Sequence, residues 1–340
     1  MPGGLLLHHR VLPTNHSLTA LLVAGALALP GCRHHPAPAE PACAPGPPRA
    51  APTKPTPFAC GHYGAPEIVG HFPADVIDEG SGLVASRVNP GIVWLHNDSG
   101  DGPNLYAVTT KGRLLGHLVL DGVEAIDMED IADGPCPAKL GSPWCLYAGD
   151  IGDNRARRDH VTVYAVPEPR VATTCRFGTS HVTHFDSFPA RYPGGARDSE
   201  GLAVTPGGRM FIVSKGRKRP PTVWAYPKAP VPGTMSMLAK VFVLDTGKLG
   251  GGPPPLHEVT AAALDPVGRR LLLRTYPALF ELSLSGPLSA DTLKTATWTR
   301  VPVGSAPQGE AVGWLPDGTG YLAAGEQVGD LWRVGCGKPR

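Results

Sequence analysis

Acidic residues recur at equivalent positions in five stretches of this sequence. Each stretch contains two short apolar segments, such as MEDIA followed by CLYAGD, or SEGLAV followed by MFIVSK. When the first segments are aligned, one column contains Ser81, Glu129, Glu200, Thr260 and Glu310. The column two residues earlier contains Glu79, Asp127, Asp198, Glu258 and Gln308. Residues two apart on a β-strand point to the same side of a sheet, so these columns predict carboxylates that share one side.

The ends of the second segments contribute a third column of polar residues. This column contains Asn97, Asp150, Lys215, Tyr276 and Glu326. In an antiparallel pair, the start of the first strand and the end of the second lie at the same edge. The loops DSGD and IGDN, which accompany the first two members, bring further carboxylates to that edge. We therefore expect the three columns to meet around one opening.

Carboxylates confined in one opening repel one another and raise one another's pKa values unless a cation neutralises them. Calcium takes about six to eight oxygen ligands in flexible geometry, and loops rich in Asp, Asn and Gly suit it. The sequence therefore predicts a divalent-cation site, with calcium as the expected ion. Glu79 and Asp98 are among the candidate ligands.

Two basic residues offer another way to neutralise the opening. Lys215 and Arg274 are expected near the same edge, either as internal counter-charges or as contacts for an anionic substrate group beside Tyr276 and Asn97;. A structural interpretation stays open as well. Asp, Asn and Gly in turns often bond their own backbone, and the inner-strand glutamates can bond backbone amides of the next repeat.

The elements that would position these side chains are short strands separated by turns. The 340 residues include 43 Gly and 39 Pro, and 18% are charged. Groups of about four strands recur every 50 to 70 residues or so, which is typical of a β-propeller. We predict an all-β fold, a single propeller of five four-stranded blades, with six blades as the nearest alternative. The segment 181–188, HVTHFDSF, is the predicted fourth strand of blade 2. Blade 5 has only three C-terminal strands, so EIVGHF at 67–72 is expected to complete it and close the ring;.

The N-terminal region predicts export. An apolar run over 18–29 follows His8, His9 and Arg10, is short for a membrane span and suits a signal peptide over 1–31;. The run ends in LPGC, which resembles a bacterial lipobox and makes Cys32 the predicted lipidation site. Residues 32–57 are rich in Pro and Ala and predict an extended linker, which leaves 58–340 as the propeller domain;. The expected location is the cell envelope, lipid-anchored at Cys32, or otherwise the periplasm or the medium.

The seven cysteines fit an oxidising compartment. Without Cys32 an even number remains, as expected for disulfides;. Cys60 and Cys336 flank the predicted closing strands, and Cys136 and Cys145 flank one hairpin loop, so each pair is a candidate bridge. Cys43 and Cys175 are left either bridged or free.

Composition and motifs exclude several classes of function. The formal net charge is +2 with scattered basic residues, so no nucleic-acid partner is expected;. The sequence contains no G-x-S-x-G and no H-E-x-x-H motif, which argues against serine hydrolases and zinc proteases;. We expect a monomer that meets a membrane only through its lipid and that binds a small or anionic molecule.

Several motifs together resemble one group of proteins. EGSGLVAS, WLHNDSGD, DMEDIA, YAGDIGDN, RDSEGLAV and QGEAV are similar to segments of secreted bacterial β-propellers of the phytase-like and esterase-like group, and more distantly of calcium-dependent lactonase propellers. In phytase propellers, clustered acidic residues bind calcium, which holds phosphate together with basic residues. The resemblance implies metal ligands at Glu129, Asp150, Asp153, Glu200 and Glu310, and it implies anion contacts at Lys215 and Arg274.

These observations lead to two hypotheses about function. The first is a cation-dependent hydrolase of a small ester, phosphoester or lactone, in which Glu200 or Glu310 acts as the general base. The second is a non-catalytic propeller that binds a glycan, a peptide or a partner protein. Fold alone does not decide between them, because propellers support many activities.

Overall fold

Short buried strands joined by tight turns build the protein. The computed structural model describes residues 43–44, 46 and 60–337, and these belong to one compact unit over 40–340. The predicted signal peptide, Cys32 and most of the linker lie outside the described residues. Within them, no helix has the length and apolar character needed to cross a bilayer.

The strands form five sheets, which confirms a propeller of five blades. The first two strands are β1 (His62–Tyr63) and β2 (Glu67–His71). Blade 1 contains β3 (Gly80–Ala85), β4 (Ile92–Asn97), β5 (Asn104–Thr109) and β6 (Leu114–Leu120). Blade 2 begins with β7 (Met128–Pro135), β8 (Trp144–Asp150) and β9 (Val161–Pro167), with a 3-10 helix at Ala138–Leu140. Then follow β10 (Gly178–Val182) and β11 (Asp186–Arg191).

The remaining blades follow in chain order. Blade 3 contains β12 (Ser199–Val204), β13 (Met210–Ser214), β14 (Thr222–Ala225), the short β15 (Ser236–Met237), which pairs with β11 of blade 2, and β16 (Ala239–Val243). Blade 4 contains β17 (Val259–Leu264), β18 (Arg270–Thr275), β19 (Ala278–Ser283), the helix α1 (Ala290–Lys294) and β20 (Thr297–Val301). Blade 5 contains β21 (Gly309–Trp314), β22 (Gly320–Gly325) and β23 (Asp330–Gly337).

The predicted closure of the ring is confirmed. Strand β2 pairs with β23 in antiparallel register, with Glu67 opposite Arg333 and His71 opposite Asp330. Strand β1 extends the same pairing, and Cys60 and Cys336 form a disulfide beside it. The N-terminal strands therefore join the C-terminal blade and leave it without a long open edge.

The fourth strand of blade 2 differs from the prediction. The segment expected as one strand over 181–188 is divided: β10 pairs in parallel with β6 of blade 1, and only β11 pairs with β9 of blade 2. Close contact at Gly116 and Gly178 permits the first pairing, because a Cβ on Gly116 would lie 2.2 Å from the Gly178 carbonyl oxygen. The outer edge of β6 in blade 1 thus pairs with residues that follow the third strand of blade 2 in the sequence.

Apolar side chains fill the space between neighbouring blades. Five buried clusters occur, one at each junction, and Leu202 and Tyr147 belong to the cluster between blades 2 and 3. Every residue of the five inner strands β3, β7, β12, β17 and β21 is buried or nearly so. These strands surround the central channel.

The two ends of the channel differ in chemistry. At the end where the inner strands begin, here called the mouth, the side chains are polar. At the other end, here called the closed end, the channel narrows to a void of about 20 Å³. Apolar side chains such as Leu83, Ile131 and Trp314 line this void together with the ion pair of Arg87 and Asp133. The strand directions place all three disulfides at the closed end: Cys43–Cys175, Cys60–Cys336 and Cys136–Cys145. The last two match the pairings suggested by sequence position.

Asp130 joins three blades from inside the channel. This residue of β7 is fully buried, and its Oδ2 accepts hydrogen bonds from the backbone N–H groups of Leu202 in blade 3 (2.7 Å) and Ala262 in blade 4 (3.2 Å). Its Oδ1 accepts from Ile131 N–H at 2.9 Å. One carboxylate thus satisfies buried donors on three inner strands, and such donors are costly to leave unpaired.

We predict that Asp130→Asn destabilises the whole propeller. The amide of the variant keeps one acceptor oxygen but turns its NH₂ group toward backbone N–H donors. A buried donor that is left unpaired lowers the free energy of unfolding by about 3 kcal/mol. In a domain of this size, each kcal/mol shifts the midpoint of thermal unfolding by about 2 to 4 °C, so the midpoint should fall by roughly 5 °C or more. The exposed Asp75→Asn is the matched control. Equal unfolding temperatures for the two variants would show that Asp130 does not join the blades.

Candidate functional site

The three columns of polar residues do meet at the mouth. Glu129 lies close enough to Glu200, Asp98, Asp127 and Lys215 for their charges to affect its pKa. Glu310 is influenced in the same way by Glu200, Glu326 and Lys215. Tyr276 of blade 4 is influenced by Lys215, Glu200 and Glu310. Residues from all five blades therefore share one electrostatic environment, as the alignment of repeats predicted.

Glu129 is the centre of the acidic cluster, defined here as Asp98, Asp127, Glu129, Asp198 and Glu200. Two groups of carboxylate oxygens in the described part of the chain lie within 4.8 Å of one another: one from Asp98, Asp127 and Glu129, the other from Glu129, Asp198 and Glu200. Glu129 belongs to both groups. Its side chain is 1% exposed, and its Oε1 has no hydrogen-bond partner.

Burial and the charges of neighbouring carboxylates raise the pKa values of Asp98, Asp127, Glu129 and Glu200. Burial raises the pKa of Glu129 well above its usual range, and the charges of Glu200 and Asp98 add to the effect. Burial, Asp98 and Asp198 raise the pKa of Asp127 to about 7, although Arg158 opposes the shift. These carboxyls favour a proton or a cation, because an unpaired buried carboxylate is strongly disfavoured.

Gly152 allows the loop after β8 to pass over the cluster. A Cβ at this position would lie 2.1 Å from Oε1 of Glu129 and 2.6 Å from Oδ2 of Asp127. The backbone N–H of Gly152 donates to the Asp127 carbonyl oxygen at 3.1 Å, which fixes the loop there. The glycine of the IGDN motif is therefore explained by close approach to carboxylates and not only by a turn.

Lys215 neutralises one side of the cluster. Its Nζ lies 2.5 Å from Oε1 of Glu200 and 5.5 Å from the centre of the Tyr276 ring. Burial disfavours the ammonium charge, but Glu200, Tyr276 and Glu129 together raise the pKa of Lys215 above its ordinary value. Lys215 is thus the internal counter-charge that the sequence suggested, and Tyr276 lies beside it.

Glu310 forms a second carboxyl pair with Glu326. Burial, Glu200 and Glu326 raise the pKa of Glu310 to about 9, and Gln308 donates a hydrogen bond to Oε2 of Glu326. At neutral pH Glu310 therefore holds a proton. This property suits a proton donor, whereas the sequence suggested a general base at Glu200 or Glu310.

Arg274 is buried between blades 4 and 5, beside the first residues of β21. Its side chain is 2% exposed and lies against Gly309, where a Cβ would be 2.1 Å from a guanidinium nitrogen. Burial lowers the pKa of Arg274 to about 10, and Glu310 opposes that shift. The guanidinium of Arg274 is enclosed between blades 4 and 5, and its expected contact with an anionic substrate stays a prediction.

Asp150 and Asp153 are engaged by protein groups. Arg158 holds both oxygens of Asp150 at 2.7 and 2.8 Å, and Asp150 also accepts from the Asp127 N–H. Asp153 accepts from the backbone N–H groups of Arg157 (2.9 Å) and Arg158 (2.8 Å). Both residues were expected to be metal ligands, but these contacts make them structural supports of the loop beside the acidic cluster.

Asn97, expected to contact substrate, instead supports a loop. Its amide donates to the Val76 carbonyl at 3.0 Å and accepts from the Glu79 N–H at 3.3 Å, with 3% of its surface exposed. Glu79 is exposed at the rim, and Asp98 is half-buried within the acidic cluster. Ser81 and Thr260 donate to backbone carbonyls of the next inner strands at Glu129 and Gly309.

Two functional candidates were present in the columns but not selected from them. Asp127 and Asp198 complete the groups of clustered oxygens and stand two residues before Glu129 and Glu200. Their position in the second column was the signal that could have identified them. Arg158 and Arg217 had no such signal, because loop conformation alone turns them toward the carboxylates.

Comparisons with known proteins find no relative by sequence and only distant likenesses among solved structures. No family model and no curated protein matches the chain. Solved structures with a similar fold include a catalytically inactive virginiamycin B lyase from Staphylococcus aureus with quinupristin, at 12% identity and a TM-score of 0.37, over 75% of this chain and 66% of that one. Another is the WD40 repeats of RRP9, at 9% identity and a TM-score of 0.37, over 76% and 67%. The chain thus spans about two thirds of each.

We predict that the metal-free protein loses stability as the pH rises from about 4 to 9. The pKa values of Asp127, Glu200 and Glu310 are raised to about 7, 8 and 9, mainly by burial. The folded state therefore retains protons that the unfolded chain releases near pH 4, and this stabilisation disappears as the pH passes through the raised pKa values.

Glu310→Gln tests this directly, because glutamine resembles the protonated acid. Thermal unfolding of the variant should depend less on pH than that of the wild type, with the largest gain near pH 9. The exposed Glu67→Gln should follow the wild-type curve. Identical pH profiles for all three proteins would contradict the raised pKa of Glu310.

Proposed function

We propose that this protein is an exported β-propeller that binds a divalent cation, with calcium as the expected ion, at the acidic cluster, and that it hydrolyses a small ester, phosphoester or lactone there. One observation carries the proposal. Glu129 is buried, has one oxygen without a hydrogen-bond partner, and is the residue common to both groups of clustered carboxylates. A hard cation with oxygen ligands relieves this arrangement, whereas the protein alone leaves it unpaired.

Of the two groups of carboxylates that share Glu129, the one without Glu200 suits the cation better. Asp98, Asp127 and Glu129 face no lysine contact as close as the one that Lys215 makes with Glu200. These three residues would hold the ion, and Asp198 completes the other side of Glu129. Asp150 and Asp153, which the sequence suggested as ligands, would instead orient the loop through their contacts with Arg158.

The surrounding residues suit hydrolysis. A bound cation would polarise the scissile oxygen and lower the pKa of a bound water. Glu310 holds a proton at neutral pH and lies where Glu200 and Lys215 influence its charge, so it is the proposed proton donor to the leaving group;. Tyr276 and Lys215 offer a phenol and an ammonium group at the mouth for an anionic substrate.

Export is supported by the cysteines. Three disulfides at the closed end are typical of an oxidising compartment, and the lipobox-like LPGC indicates lipidation at Cys32;. The proposed location is the cell envelope.

A non-catalytic binding platform is the second candidate. The observation that favours it is the internal neutralisation of Glu200 by Lys215 and of Asp150 by Arg158, which leaves fewer free carboxylates than the sequence suggested. In that case the cation, if bound, has a structural role and no substrate is turned over.

Calcium should raise the thermal stability of the purified protein after exhaustive chelation. A cation at about 100 times its Kd stabilises by about 2.7 kcal/mol, which corresponds to roughly 5 °C or more here. Glu129→Gln should remove most of this gain, and Glu67→Gln should retain it. No gain with calcium, magnesium or manganese would overturn the cation site. A gain without turnover of phosphoester, ester or lactone substrates would favour the binding platform.

Lys215→Met should separate the lysine from the cation. Removing one partner of a buried ion pair costs about 3 to 5 kcal/mol, so the metal-free variant should unfold at a lower temperature. The unpaired Glu200 should then bind calcium more tightly, and calcium should restore more stability than it adds to the wild type. A calcium-induced gain that is equal in both proteins would show that lysine and cation do not share the cluster.

A further inference from the structure

A cationic cleft opens next to the mouth, between blades 2 and 3. Its volume is about 300 Å³, and three loops form its walls: 153–156 after β8, 195–198 before β12, and 214–219 after β13. The basic residues of the walls are Arg197, Arg217, Lys218 and Arg219. This volume is at the lower end of ordinary ligand pockets, which suits a small molecule.

Two arginines face each other across one backbone carbonyl. Nη1 of Arg197 and Nη1 of Arg219 each lie 3.5 Å from the Gly194 oxygen, so the two guanidinium groups are close neighbours. Neither forms an ion pair with a carboxylate among residues 60–337. Burial and the nearby charge of Arg219 lower the pKa of Arg197, which agrees with like charges held together;.

The carboxylates in the walls contact protein groups other than Arg197 and Arg219, although Oδ2 of Asp198 has no hydrogen-bond partner and lies 4.0 Å from Arg217. Asp153 accepts from two backbone N–H groups, and Asp198 accepts from the Asp153 N–H at 3.0 Å. Arg217 is held by Asn154 at 2.8 Å and lies 3.5 Å from Glu258, so it crosses the rim toward the mouth. The positive charge that lacks a counter-charge within the cleft thus belongs to Arg197, Lys218 and Arg219.

We propose that this cleft is a binding site for a small dianion, held by Arg197 and Arg219 with Lys218 at its edge. Guanidinium groups bind carboxylate, phosphate and sulfate oxygens through paired hydrogen bonds, and two of them match a doubly charged group. The backbone oxygens of Gly195 and Ala196 accept from Arg197 at 3.0 Å each and hold its guanidinium in place. The cleft shares Asp198 with the acidic cluster. Its proposed anion contacts, Arg197 and Arg219, are not members of that cluster and do not depend on a bound cation.

Like-charge repulsion gives the site a specific signature. Arg219 is exposed, so Arg219→Gln relieves repulsion without disturbing the core. The variant should be at least as stable as the wild type when no anion is present, but an anion should raise its unfolding temperature less. A residue with a purely structural role would instead lower the stability of the anion-free protein.

The test is a thermal-unfolding titration of the metal-free protein with malonate, sulfate or phosphate, after dialysis to remove chelator, which is itself an anion. Acetate and chloride at equal ionic strength are the controls. A dianion should raise the unfolding temperature saturably, and Arg197→Gln and Arg219→Gln should each weaken binding about tenfold, or about 1.4 kcal/mol. Arg300→Gln, an exposed arginine of blade 4, should bind as the wild type does.

The comparison among anions identifies the group that is bound. If sulfate and phosphate raise the unfolding temperature more than malonate does, the site binds a tetrahedral oxyanion. If malonate raises it more, the site binds a dicarboxylate. Glu129→Gln should retain the effect, which separates this site from the cation site. A gain no larger than that from chloride, or one that both arginine variants retain in full, would overturn the proposal.

Discussion

The carboxylate of Asp130 is the contact on which the arrangement of the channel depends. Inner strands of a propeller turn their edges toward the axis, where backbone N–H groups would otherwise meet neither water nor a sheet partner. Asp130 accepts from three such groups in blades 2, 3 and 4. Ser81 and Thr260 perform a related task by donating to carbonyls of neighbouring inner strands. The channel is consequently filled by polar contacts in its middle and by apolar side chains at its closed end.

A filled channel changes the electrostatics of the mouth above it. Little water reaches the acidic cluster from below, so burial dominates the raised pKa values of Glu129, Glu200 and Glu310. Burying charged carboxylates costs free energy. Arg158 and Lys215 offset part of this cost through close ion pairs, and bound protons offset another part. The cluster and the cationic cleft also lie side by side, separated by the loops that carry Asp153 and Asp198. Such adjacent regions of opposite charge orient a ligand that has both an anionic group and oxygen donors for a cation.

The repeat pattern predicted the features that depend on local spacing. Alternation along strands and hairpin turns set the blades, and a spacing of two residues brought Asp127 and Glu129 together. The sequence was less informative where a side chain or strand reaches outside its own repeat. Strand β10 joins blade 1 because an outer edge there is free and two glycines allow close approach. Arg158 takes Asp150 because the loop after β8 folds back, and Arg274 is enclosed because Gly309 leaves room for it. Such outcomes depend on loop conformation and on partners far away in the chain.

The placement of the disulfides has a consequence for how the protein can be presented. Cys43, Cys60 and Cys336 all lie at the closed end, and each is covalently tied there to another part of the propeller. The described part of the chain therefore begins at Cys43 and ends at Gly337 on the face opposite the mouth. Immobilisation on a sensor surface or bead through either side of the described chain would turn every molecule the same way. The acidic cluster and the cationic cleft would then face the solution, and a fused reporter at either position would stay clear of both.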